Sequence, residues 1–72
     1  MVLTQLKRLL IDRFGCDEED ITLATSLDEL NLYPRDLEEI AFLLGEQFGM
    51  DLPAETVAEW EFVEDIVASF ED

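Results

Sequence analysis

The run PRDLEEIAFLLGEQF, residues 34–48, leaves its backbone little choice. Leu37, Ile40, Ala41, Leu44 and Phe48 fall at i, i+3, i+4, i+7 and i+11, the stripe of a helix that lays one face on a core. Both ends are marked. Pro34 suits the first helical position, where a missing N–H costs nothing and φ is already fixed. Gly49 suits the exit, because glycine accepts left-handed backbone. The spacing predicts a helix from about Pro34 to Phe48, and its apolar stripe demands other elements to cover it.

Two more segments supply them. MVLTQLKRLLIDRFG sets Val2, Leu3, Leu6, Leu9, Leu10 and Phe14 at helical spacing, with Gly15 as the stop. Arg13 falls in the last turn, where it meets the negative end of the helix dipole. EFVEDIVASFED predicts a last helix burying Phe62 or Val63, together with Ile66, Val67 and Phe70. Within MDLPAETVAEW, Pro53 opens a short helical segment, and Trp60 and Phe62 are expected in the core. Residues 16–33, CDEEDITLATSLDELNLY, form a long connection. Its apolar members Ile21, Leu23, Leu27, Leu30 and Leu32 are expected to dip inward. Ser26, ahead of Asp28 and Glu29, suits the start of one short turn. No segment alternates convincingly, and β-branched runs are absent. The expectation is a single all-α domain over residues 1–72, with three main helices, one short helix and a long first loop.

Hydrophobic residues are 49% of the chain, too many for a disordered acidic tail. They must pack, which leaves the charges to coat the outside. Four basic residues face 19 acidic ones, a net −15. Lys7, Arg8 and Arg13 sit in the first helix with only Asp12, and Arg35 is the one base beyond it. Such a surface repels nucleic acid and anionic lipid and steers toward basic protein surfaces. Neither nucleic acid nor membrane is expected as a partner. No apolar run reaches membrane-spanning length and no basic leader precedes an apolar stretch, so a cytoplasmic location is expected. A monomer is expected as well.

Cys16 is the only cysteine, which rules out an internal disulfide. No histidine is present to activate it, and neighbouring acids raise a thiol's pKa, so it is expected to be small buried filler. There is no Ser/His/Asp or Cys/His set and no glycine-rich phosphate loop, so an enzyme is not expected. The clusters DEED and DLEE lack calcium-loop spacing, and no specific metal site is expected.

LNLYPRDLEEIAFLLGEQFGMDLP, preceded by a first helix ending in FG, by DEEDIT and TSLDEL, and followed by WEFVEDIVASF, resembles the acyl carrier proteins. The resemblance covers nearly the whole chain. FVEDIV is close to that family's usual last-helix motif. It implies an acyl-carrier-type four-helix bundle serving fatty-acid, polyketide or peptide assembly. The family attaches 4′-phosphopantetheine to the serine of an Asp-Ser-Leu motif at the start of its second helix. Counting without gaps from Pro53 back to Leu30 sets Tyr33-Pro34-Arg35 on that motif, with Asn31 on the family's preceding glycine. Asn tolerates a left-handed turn. Proline, however, has no hydroxyl, so Pro34 cannot take the arm and no cofactor is expected.

Opposite the core stripe, the same helix presents Arg35, Glu38, Glu39, Phe42 and Glu46. The resemblance makes this a docking face for enzymes with basic surfaces, with acids for steering and Phe42 as an apolar anchor. Arg35 departs from the family's apolar contact residue. The leading expectation is an armless docking module. One alternative is a true carrier modified at another hydroxyl, such as Ser26 or Tyr33. Another is an acidic decoy that occupies nucleic-acid-binding surfaces.

Overall fold

A computed structural model describes residues 2–71. Among these residues four α-helices follow one another: α1 (Val2–Phe14), α2 (Pro34–Phe48), α3 (Ala54–Ala58) and α4 (Val63–Phe70). A 3-10 turn at Glu18–Asp20 interrupts the first loop. Among the described residues there is no β-strand, only an isolated antiparallel bridge between Ser26 and Phe62. The described residues are therefore all-helical, and α2 runs between the residues its apolar spacing marks.

The helix ends follow the expected chemistry. Gly15 (φ 69°) and Gly49 (φ 68°) are both left-handed. Gly15 N–H donates to Ile11 C=O at 3.2 Å, and Met50 N–H reaches back to Gly45 C=O at 2.9 Å. These bonds satisfy carbonyls that a helix end leaves open. Asn31 is the one described non-glycine residue with positive φ, 58°, where the turn delivers the chain to α2. At the entrances, acids three residues in reach back to the backbone. The Asp36 carboxylate accepts from Tyr33 N–H at 2.9 Å. Asp65 accepts from both Glu61 and Phe62 N–H, each at 2.9 Å. This is half of a capping box, and it needs no capping side chain from Tyr33 or Phe62.

α1 packs on α2 and α4, and α3 packs on α2. Leu6, Leu10, Ile40, Leu44, Val63 and Ile66 meet in one core and are fully buried. Ile21, Leu27 and Leu32 join them from the long loop, as expected, and Leu30 packs at the margin. Trp60 is buried, and its Nε1–H donates to Ser69 Oγ at 2.9 Å. Its ring neighbours Phe70, which neighbours Phe48, with centroids 6.5 and 6.0 Å apart.

Three expectations need correction. Leu23 does not enter the core and is 44% exposed. It sits at the tip of a turn closed by Thr25 N–H to Thr22 C=O, 3.1 Å, and braced by Thr25 Oγ1 donating to Asp20 C=O, 2.8 Å. That turn points Leu23 outward. Phe62 is 40% exposed and Val63 is fully buried. Phe62 is extended (φ −124°, ψ 161°), and neighbours on extended chain point to opposite sides, so one of the pair must face out. Cys16 is only partly buried.

The long loop is held at both ends of its middle section. Val63 N–H donates to Thr25 C=O and Leu27 N–H to Glu61 C=O, both 2.9 Å, and Glu64 N–H to Leu23 C=O at 3.0 Å. Ser26 supplies the expected turn: its Oγ accepts from Glu29 N–H and donates to Glu29 Oε1, each at 3.2 Å.

Candidate functional site

Fifteen residues in one straight element give α2 an inner and an outer face. The inner stripe is spent on the core, so the outer residues have only solvent or a partner to meet. Arg35, Glu38, Glu39, Phe42 and Glu46 are all exposed. Phe42 is 64% exposed; a single exposed ring is common on small domains, and it is its place among acids on this face that marks it.

The five do not share one environment. Glu39 leans toward α1, where its Oε2 lies 3.7 Å from Arg13 Nε. Both side chains are about half exposed, so the pair adds little stability, but it offsets the charge. Glu46 lines the same α1–α2 furrow as Arg8 and Arg13. Glu38 and Phe42 turn the other way, into a groove between α2 and α3. Uncompensated negative charge therefore collects on the α3 side of α2. Arg35 lines neither depression.

The groove has a volume of about 890 Å³. Leu37, Leu52 and Val57 pave it, while Asp28, Glu38, Asp51 and Glu61 rim it. No lysine or arginine lines it. Of the groove's lining, the sequence places only Glu38 and Phe42 on a docking face. Asp51 and Ala54 belong to α3 and its approach, and a five-residue helix shows too little periodicity to announce which face it presents.

Pro34 stands at the groove's edge, at the first position of α2, and is exposed. It offers no oxygen for a phosphodiester, so a 4′-phosphopantetheine arm does not fit this position. Tyr33 beside it is 68% exposed. Ser26 also borders the groove, but its hydroxyl is tied to Glu29. Cys16 lies elsewhere, beside Phe14 and Asn31. Burial, then Asp17 and Asp20, push its thiol pKa up, which keeps it protonated and poorly nucleophilic. Among the described residues, no three carboxylate or thiol side chains gather as a metal site. No helix among them is long and apolar enough to cross a membrane.

The chemistry of the α2 face and the groove is that of recognition: carboxylates around apolar carbon. The chain matches no known protein-family model.

Proposed function

We propose that this chain is an acyl-carrier-type docking module without a covalent arm. It engages enzymes of fatty-acid, polyketide or peptide assembly through α2. One observation carries the reading: Phe42 stands exposed among the acids of a helix that begins with Pro34, the residue that the sequence resemblance sets on a carrier's serine. An exposed aromatic ringed by carboxylates suits a basic surface with an apolar pocket. The charges speed encounter, and the ring holds the complex once water is expelled. Arg35 narrows the choice, because it repels partners that present arginines at the tip of α2.

Two measurements test this. Intact mass is recorded after incubation with coenzyme A and a broad-specificity phosphopantetheinyl transferase, and no gain is expected. A gain of one arm means a carrier modified at another hydroxyl, with Ser26 and Tyr33 the first to map. Affinity capture with the tagged chain is expected to recover assembly enzymes. Recovery of nucleic-acid-binding proteins instead means an acidic decoy.

A further inference from the structure

The α2–α3 groove is open, apolar at its base and acidic at its rim. Its walls are low where Ala41, Ala54 and Ala58 line it, so an incoming backbone can approach closely. Phe42 and Phe62 both line it with exposed rings.

We infer that this groove seats an amphipathic helix of a partner protein, one whose apolar stripe is flanked by lysine or arginine. The inference rests on the docking reading and names the partner's element at that site. Volume alone does not choose the occupant, since small-molecule pockets span the same range. Charge does. Asp28, Glu38, Asp51 and Glu61 surround the apolar floor without a single base among the lining residues. A fatty acid or nucleotide brings its own negative charge into that ring and is repelled. A neutral small molecule leaves all four carboxylates without partners. A cationic amphipathic helix meets both demands, placing apolar side chains on the floor and ammonium or guanidinium groups at the rim. Length agrees. At about 1.5 Å per residue, α2 from Pro34 to Phe42 offers a wall of roughly 12 Å, or about two turns. Helix-in-groove recognition uses anchors at i, i+3, i+4 and i+7, which fit along that wall.

Trp60 makes the test direct. It is the only tryptophan, it is buried, and it lines the groove. The whole chain is titrated with two peptides of about 18 residues built from Leu and Lys alone, about five helical turns. One places Leu at helical spacing, and the other has the same composition in scrambled order. The ordered peptide is expected to bind one-to-one, change Trp60 emission and become helical, with the scrambled one about tenfold weaker or worse. Ala58→Arg blocks the groove and is expected to weaken binding by about tenfold. Ala68→Arg makes the same charge change on an exposed site of α4 outside the groove and is expected to change affinity by less than about threefold. Equal binding of the two peptides, or equal effects of the two arginine variants, overturns the inference. So does saturable binding of the neutral probe N-phenyl-1-naphthylamine that the ordered peptide fails to displace. Glu39→Lys and Glu46→Lys separate this failure from that of the docking reading. If they weaken binding as Ala58→Arg was expected to, and Ala58→Arg does not, the outer face of α2 docks and the groove stays empty. If no variant on α2 or α3 matters, both readings fall.

Discussion

Phe42 and Val63 show how differently two apolar residues can be employed. Phe42 has little contact to lose, so Phe42→Ala is expected to change stability by no more than about 0.5 kcal/mol while weakening capture of a partner. A large fall in melting temperature would assign it to the core instead. Val63→Ala, at a fully buried site, is expected to cost about 2 kcal/mol, and Phe62→Ala clearly less despite its larger side chain. Thermal melts of the two variants check the order. Spacing alone left Phe62 and Val63 as rivals, because a helix start does not reveal which of two adjacent apolar residues belongs to the extended lead-in. Leu23 was misread for a related reason: apolarity was visible, but the threonine-braced turn that aims it outward was not. At Pro34 the reading concerns chemistry. Pro34→Ser supplies a hydroxyl and is expected to alter stability by at most about 1 kcal/mol, since Asp36 already caps the helix from within. It is expected to be labelled poorly by a phosphopantetheinyl transferase. Tyr33→Asp, Pro34→Ser and Arg35→Leu together are expected to label well, as Arg35 no longer repels. Equal, fast labelling of the single and triple variants would mean that only the hydroxyl is missing.

At the scale of the element, α2 was the most legible part of the chain and still held something unread. Gly45 lies mid-helix, where glycine ordinarily weakens a helix by about 1 kcal/mol relative to alanine. It is buried, and a Cβ there runs into the backbone carbonyl of Met50. That carbonyl belongs to the chain as it turns after Gly49, and backbone cannot step aside as a side chain can. Gly45→Ala is therefore expected to destabilise the protein by about 1–3 kcal/mol, against the helix propensity trend. Denaturant unfolding measures it, and a stabilised variant would show that the turn after α2 is free to shift. Nothing in residues 34–49 by themselves signals this, because the clash arises only once the chain has folded back. The same holds for the groove. Glu38 and Phe42 were readable from α2, but Asp28, Asp51 and Glu61 reach its rim from three separate stretches.

Across the whole molecule, 19 acids against four bases leave net repulsion that salt screens. Raising sodium chloride from about 10 mM to about 0.5 M is expected to stabilise the fold by about 1 kcal/mol, or roughly 4–8 °C in melting temperature. An unchanged melting temperature would mean that the charges are already far enough apart. Cys16 adds a pH-dependent contribution of known sign. Its folded pKa is raised, first by burial and then by Asp17 and Asp20, so the fold favours the neutral thiol. That contribution is complete below the unfolded thiol's pKa and is lost as pH rises through the folded one. Iodoacetamide is accordingly expected to alkylate Cys16 more slowly at pH 8 in the native chain than in denaturant. The hydrogen bonds that join Leu23, Thr25 and Leu27 to residues 61–64 have a consequence in time as well as in space. On the ribosome, α1 and α2 emerge first, while the segment between them has its backbone partners still unmade. Only when the strip ahead of α4 has been synthesised does that segment gain them. The fold is thus completed only after α2 has been made, by a closure between two distant parts of the chain.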